Sequence, residues 1–351
     1  MQAAEAFRQQ AEACVRHGSP MYDDVLRALV EDLEAGGPTA VVLAGHEDDT
    51  GPSALALRLL GSVHRLVLER RAGRLAAYVP SVGGTWDPAS GPAAYVDLLA
   101  REPEAVRERL DRPPQTNEVG RASALIGGLL HLPEELRRPV RLLELGSSAG
   151  LIQLADRFAY VDGDGTTTGD PGSPVVLDPA WEGGPLTPWR DLEIVEREGC
   201  DPMPVDATST EGRLTLTAYV WPDQTGRLER LRGALSLAQR TPPVVRRLGA
   251  GDFVGARGLR TGTVTVLWHS VMWQYLPAAE QVRVSRRIEV LGSEATSEQP
   301  FAHLVLEPTR RTPDQPHEFL VVLTTWPGGV RRVLGRSRAH GVPTTWEPAP
   351  G

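Results

Sequence analysis

Lysine is absent from the 351-residue chain, so all 37 basic residues are arginine. That absence removes whole chemistries. A P-loop nucleotidase needs its lysine on the phosphates. A pyridoxal enzyme or Schiff-base aldolase needs a lysine amine, and a protein kinase needs its strand lysine. Asparagine occurs once, at Asn117, and Ile, Phe and Tyr are scarce beside abundant Ala, Gly, Pro and Arg. This bias reads as a GC-rich coding sequence before it says anything about function. Two cysteines, Cys14 and Cys200, cannot build a disulfide framework or a Cys-based zinc site, and a reducing cytoplasm is the expected location. No apolar run approaches the roughly 18 residues of a membrane span, and the amphipathic N-terminus has no signal-peptide core. The net charge of -8 speaks against a basic stripe for nucleic acid. The length suits about two domains.

The first part of the chain reads helical. Ala4, Phe7, Ala11, Cys14 and Val15 recur at helical spacing and are stopped by Gly18-Ser19-Pro20. Tyr22, Leu26, Leu29, Val30 and Leu33 form a second stripe closed by Gly36-Gly37-Pro38. Further helices are predicted over 53–71, 93–109 and 119–130, with a Gly/Pro-rich loop over 80–92. Near Arg138-Pro139 the texture changes. Val140 to Leu145 is a short apolar run that enters Gly146-Ser147-Ser148-Ala149-Gly150, a pattern expected of a buried strand, a tight turn and a helix. Residues 158–191 are rich in Gly, Asp, Thr and Pro and read as a hairpin or excursion, not as a core element. Strands are predicted at 192–200, 244–248, 264–268, 303–306 and 319–325, with a weaker one within 331–346. Helices are predicted within 212–240, split by Pro222, and over 277–290.

Alternation of strands and helices predicts an α/β fold with a doubly wound, mainly parallel sheet. An antiparallel pair is expected at one edge, where no helix separates the last strands. The predicted division is a helical N-terminal lid or substrate domain over 1–138 and an α/β domain over 139–351, the latter carrying the insertion at about 158–191.

The segment Leu143-Glu144-Leu145-Gly146-Ser147-Ser148-Ala149-Gly150 resembles the first motif of class I S-adenosylmethionine-dependent methyltransferases. Gly146 permits a positive φ, small residues at 148 and 149 let the backbone approach a ligand, and Gly150 lets the next element pack closely. Position 148 is not the glycine of a dinucleotide fingerprint, and Glu144 would repel pyrophosphate while attracting an ammonium group. An ordinary strand–turn–helix corner is the bland alternative. The resemblance implies that Glu144, Gly146, Ser148 and Gly150 face S-adenosyl-L-methionine. In Gly199-Cys200-Asp201-Pro202 it implies an acid for the ribose, Asp201 or else Glu196, although Asp201 lies much further from Gly150 than is usual. In Gly249-Ala250-Gly251-Asp252-Phe253 it implies an acid, Asp252, for the adenine amino group and an apolar cover, Phe253. Helix capping is the plainer role for Asp252.

The fourth strand of this pattern runs into Trp268-His269-Ser270-Val271-Met272-Trp273-Gln274-Tyr275. Ligands of doubly wound sheets lie outside the carboxyl ends of strands. His269 is therefore the expected general base or substrate-binding group, with Glu307 and Tyr275 as catalytic partners and Trp273 as a pocket wall. Gln115, Asn117, Glu118 and Arg121 are candidates to close over a polar substrate, with a helix cap as the alternative for Asn117. Gly45-His46-Glu47-Asp48-Asp49 and Pro80-Ser81-Val82-Gly83-Gly84 stand out as turns. A metal site at His46 would need more ligands, so none is predicted.

Together, the stretches at 44–49, 80–84, 115–121, 142–151, 199–206, 219–224, 269–277 and 326–329 are similar to those of an uncharacterised bacterial family of the DUF2332 type. That resemblance implies a methyltransferase-like core behind a helical domain. The leading expectation is a methyltransferase acting on a small molecule, with neither nucleic acid nor membrane as partner. A cofactor-binding protein without methyl transfer, and a non-enzymatic interaction protein, are the alternatives.

Overall fold

The computed structural model describes residues 2–46, 49, 54–184 and 186–348. Its elements in chain order begin with α1 (Gln2–Arg16), α2 (Pro20–Glu34), α3 (Pro38–Leu43), α4 (Leu55–Leu68), α5 (Gly91–Arg101), α6 (Pro103–Arg107) and α7 (Ala122–Leu130). Then come β1 (Val140–Leu145), β2 (Ala159–Asp162), β3 (Thr167–Gly169), β4 (Val176–Gly183) and β5 (Ile194–Asp201). The chain continues through α8 (Thr210–Ala218), α9 (Thr225–Arg240), β6 (Val245–Arg247), α10 (Ala250–Gly255), β7 (Val264–Ser270) and α11 (Ala278–Glu294). It ends with β8 (Phe301–Thr309), β9 (Glu318–Trp326), β10 (Val330–Ser337) and β11 (Thr344–Trp346).

The chain divides into two compact units, Met1–Thr116 with Ser209–Glu229, and Asn117–Thr208 with Arg230–Gly351. The first unit is helical. Phe7, Cys14, Tyr22, Leu26, Leu29, Leu59, Val63 and Leu98 build its core, as the spacing of their apolar stripes predicts. Ser19 starts α2, its hydroxyl accepting the Tyr22 N–H. Pro103 interrupts the long helix expected over 93–109 and yields α5 and α6, because proline cannot continue the hydrogen-bond ladder. The predicted start of α4 at Ser53 lies outside the described residues.

The second unit contains an eleven-stranded sheet ordered β3-β2-β4-β11-β10-β9-β8-β7-β1-β5-β6. Pairings of β1 with β5 and β7, of β5 with β6 and of β7 with β8 are parallel. The chain leaves β1 for one side of the sheet and later returns to its other side, so β1 marks a topological switch point. Both faces carry helices. A Cβ at Gly128 in α7 would strike Leu304 at 2.6 Å, and one at Gly292 in α11 would strike Trp326 at 2.5 Å. Trp326 stacks on Phe301, whose strand position is of opposite parity to that of Leu304, so the two helices cover opposite faces.

Four expectations are corrected. The insertion joins the sheet: β2 and β3 form the hairpin, and β4 buries Leu177, Ala180 and Trp181. The antiparallel strands β8, β9 and β10 lie in the sheet's interior because β11, β4, β2 and β3 extend beyond them. No α-helix follows Gly150; the segment Leu151–Arg157 is a 3₁₀ helix. The boundary at 138 also shifts in both directions. Residues from Asn117, including α7, belong with the sheet, whereas Ser209–Glu229 belongs with the helical unit, where Trp221 enters the core and the ring of Tyr219 packs on Gly61.

Candidate active site

The carboxyl ends of β1, β5 and β7 are in register, with Leu145 opposite both Cys200 and His269. The turn after β1 is built by three left-handed residues, Gly146 (φ +64°), Ser148 (φ +53°) and Gly150 (φ +72°). A left-handed serine is strained and needs outside support. Asp201 provides it: its Oδ2 accepts the Ser148 N–H at 3.0 Å and its Oδ1 accepts the Met203 N–H at 2.8 Å. The turn is further stitched to β5 by Ser147 N–H to the Cys200 carbonyl at 3.0 Å. This close approach requires Gly199, where any Cβ would lie 1.9 Å from Ser147 Oγ. Asp201 is 9 % exposed, and burial pushes its carboxyl upward against the opposing pull of those backbone donors.

Glu144, one residue before the end of β1, is buried. Desolvation pushes its pKa up to about 8, opposed by hydrogen bonds from Ser147 and Gln153. Its Oε2 is buried without a hydrogen-bond partner. Asn117 Oδ1 accepts the Leu151 N–H at 2.9 Å, so the single asparagine caps the segment that follows Gly150. Glu118 Oε1 accepts the Gly120 N–H and lies 3.8 Å from Arg230. Arg121 Nε donates to the Ala339 carbonyl, and its Nη1 reaches the Ser270 carbonyl at 3.4 Å. These three residues, expected to close over a substrate, instead fasten elements within the second unit. Gln115 belongs to the first unit.

On the α11 face of the sheet, His269 meets Glu307 and a third group, His303. His269 Nδ1 lies 2.8 Å from Glu307 Oε1, and His269 Nε2 lies 3.0 Å from His303 Nε2. Glu307 Oε1 also accepts the Met272 and Trp273 N–H groups at 3.1 and 3.3 Å. Its Oε2 is buried with no partner. Trp273 stacks on the His269 ring with centroids 5.2 Å apart. Burial, and then the neighbouring His269, hold His303 well below the usual histidine range. Its position in β8 could have disclosed it: 303 and 307 share one strand face.

Two other expected ligands are misplaced for their roles. Phe253 is fully buried in the core, with Arg257 over its ring at 3.8 Å, so it presents no cover to a ligand. Asp252 is exposed in the first turn of α10 and pairs with Arg283. Tyr275 is 47 % exposed. Glu196, the alternative to Asp201, pairs with Arg141 and Arg260. A cleft of about 1000 Å³ lies along β2 and β4, lined by Tyr160, Asp162, Trp181 and Trp189, away from the β1 switch point.

In the first unit, His46 Nδ1 contacts Asp49 at 2.9 Å, and Arg58 binds the same carboxylate at 3.0 Å. Glu47 and Asp48 of that turn lie outside the described residues. Among the described residues, no group of three or more His, Cys, Asp and Glu is placed to hold a metal ion. No described helix is long and apolar enough to cross a membrane.

Residues 4–346 match the family described as "Uncharacterized protein conserved in bacteria (DUF2332)", and the chain belongs to that family. No curated protein and no solved structure matches it.

Proposed function

Starting from a family whose description assigns no reaction, we propose that the second unit binds S-adenosyl-L-methionine at the β1 switch point and that the chain is a methyltransferase for a small-molecule acceptor. The carrying observation is Glu144, a buried carboxyl beside the left-handed turn whose Oε2 lacks a partner. An ammonium group supplies what that oxygen lacks. The order β6-β5-β1-β7-β8 suits a class I methyltransferase-like core.

The turn argues against pyrophosphate. Anion sites at such turns use free backbone N–H groups and a helix N-terminus. Here the Ser147, Ser148, Gly150 and Leu151 N–H groups all have protein acceptors, and a 3₁₀ segment replaces the helix. The residues therefore fit a nucleoside carrying an amino-acid side arm better than a dinucleotide.

When bound, the cofactor supplies an electrophilic methyl group on a sulfonium. Gly146 and Ser148 provide backbone shape, Asp201 holds that shape, and Glu144 receives the ammonium. Glu307 Oε2 is the acceptor for the proton of the attacking nucleophile, with His269 fixing the carboxylate's orientation. Trp273 walls the acceptor side. Orientation and exclusion of water would carry much of the rate.

One observation favours a second reading, cofactor binding without methyl transfer: both ring nitrogens of His269 are engaged inside the protein. Titration calorimetry with S-adenosylmethionine and S-adenosylhomocysteine tests the shared premise. Saturable binding that Gly146→Asp abolishes in a folded protein is expected, and absence of wild-type binding overturns both readings. Incubation with methyl-labelled cofactor and a bacterial small-molecule extract separates them, because binding without label transfer leaves only the second.

A further inference from the structure

The first unit contains a serine–histidine pair that the proposed methyl chemistry does not use. His64 lies on α4 and is 2 % exposed. Its Nδ1 is 3.0 Å from the carbonyl of Ala218, the last residue of α8, and its Nε2 is 2.8 Å from Ser81 Oγ. A carbonyl only accepts hydrogen bonds, so Nδ1 carries the ring proton and Nε2 presents its lone pair. The position of that carbonyl at a helix C-terminus, where partial negative charge collects, reinforces the same tautomer. The Ser81 hydroxyl must then donate to Nε2, as a nucleophile donates to its general base. Burial lowers His64 to a pKa of about 4, so the lone pair is not lost to protonation near neutral pH.

The turn that carries this hydroxyl lies at the surface of the unit. Ser81 is half-buried in the 3₁₀ turn Pro80–Val82, which ends in left-handed Gly83. Val82 is 43 % exposed, and nothing lies within 4 Å of a Cβ built at Gly83. The turn itself is held: Val82, Gly83 and Gly84 donate their N–H groups to Val79, Pro80 and Val79 carbonyls at 3.2, 3.0 and 3.0 Å. A Cβ at Gly84 would lie 2.6 Å from the Ala76 and Ala77 carbonyl oxygens, so the loop's path depends on that glycine. A buried base, oriented by main chain, thus stands under a nucleophile on a rigid surface turn.

We propose that Ser81 and His64 form a nucleophilic dyad that accepts an acyl group from an activated carboxylic ester. Ser81 Oγ bonds to the acyl carbon while its proton passes to His64 Nε2. The bond from that carbon to the leaving alcohol breaks, and the alcohol departs with the proton from His64. Water repeats the same exchange to release the acid and restore Ser81.

The test uses the full chain and a fluorophosphonate probe, which forms a Ser81 Oγ–P bond as fluoride leaves with the hydroxyl proton. Peptide mass spectrometry is expected to place the adduct on Ser81. Ser81→Ala should abolish that adduct. His64→Asn, which keeps a donor for Ala218 but removes the base, should slow labelling about 100-fold or more at unchanged unfolding midpoint. No adduct on wild-type Ser81 overturns the proposal and leaves the hydrogen bond as a loop anchor, and this result stands even if the His64 variant fails to fold. Labelling at Ser81 that a folded His64→Asn protein retains at the wild-type rate also overturns it.

Discussion

Asp201 holds Ser148 in a left-handed conformation by accepting its N–H at 3.0 Å, with φ at +53°. The same carboxylate accepts the Met203 N–H, so it ties the turn after β1 to the end of β5. Charge-assisted hydrogen bonds contribute about 1.5–3 kcal/mol, and buried donors left unmatched are costly. Asp201→Ala should therefore destabilise the second unit by about 2–4 kcal/mol, read as a lower urea midpoint. Asp201→Asn should fall between, because its amide can accept one of the two donors but opposes the other. A midpoint unchanged in Asp201→Ala would show that the turn holds without this clamp.

Glu144 gives a stability prediction with a defined pH window. Its carboxyl titrates near 8 when folded against an ordinary value of 4.5, chiefly through desolvation. The protonated form is thus favoured by folding, and the associated stability is fully present below about 4.5. It is lost as pH rises toward 8, because the unfolded chain ionises first. Glu144→Gln should be nearly neutral at pH 4.5 and stabilising by up to a few kcal/mol at pH 8. Thermal unfolding of both proteins across that range measures the difference. A constant difference would refute a titrating Glu144.

Ligand binding supplies an independent check on the same group. At pH 7 the buried carboxyl is mostly protonated, and an ammonium beside it favours the carboxylate. Binding of S-adenosylmethionine should then release close to one proton. Calorimetry in buffers of different ionisation enthalpy reads this as a slope in the observed heat. Glu144→Gln should remove the slope and weaken binding. Binding with no buffer dependence in the wild type would place the ammonium elsewhere.

Asn117 shows what the sequence disclosed and what it hid. Its rarity in this composition made it conspicuous, but the Leu151 N–H it accepts lies 34 residues away, so it caps a distant segment and not the helix that follows it in the chain. The segment it caps could not be anticipated as 3₁₀, because Gly150 is crowded by Pro243 and Val245, contacts made across long stretches of chain. β1, β7 and β8 were legible because buried parallel strands are short apolar runs. β3 was not: Thr167–Gly169 is wholly exposed and is held by backbone pairing, which leaves no hydrophobic signature. Residues 209–229 looked like part of an α/β alternation. Their place in the helical core rests on Tyr219 and Trp221, and aromatic side chains do not announce which core they enter. Removing the Asn117 cap by Asn117→Ala should cost about 1 kcal/mol and weaken cofactor binding through the loosened turn. Unchanged stability and affinity would remove it from the site altogether.

The two oxygens of Glu307 have unequal surroundings, and that inequality yields the last prediction. Oε1 has three donors, from His269, Met272 and Trp273, while buried Oε2 has none. Because a carboxylate accepts, His269 carries its proton on Nδ1, and His303 then donates from Nε2 to His269 Nε2. Nitrogen-15 NMR of labelled histidines should show these two tautomers, and His303→Leu should release the His269 ring from a single orientation. In Glu307→Gln the amide oxygen can keep the Oε1 bonds while the amide nitrogen replaces the free acceptor. The protein should stay folded with a stability change of about 1 kcal/mol, bind S-adenosylmethionine like the wild type, and lose at least about 100-fold in single-turnover methyl transfer. Equal loss of binding and transfer would make Glu307 part of the cofactor's seat. Full transfer by Glu307→Gln would rule out Oε2 as the proton acceptor, because a side chain offering an N–H there cannot receive the nucleophile's proton.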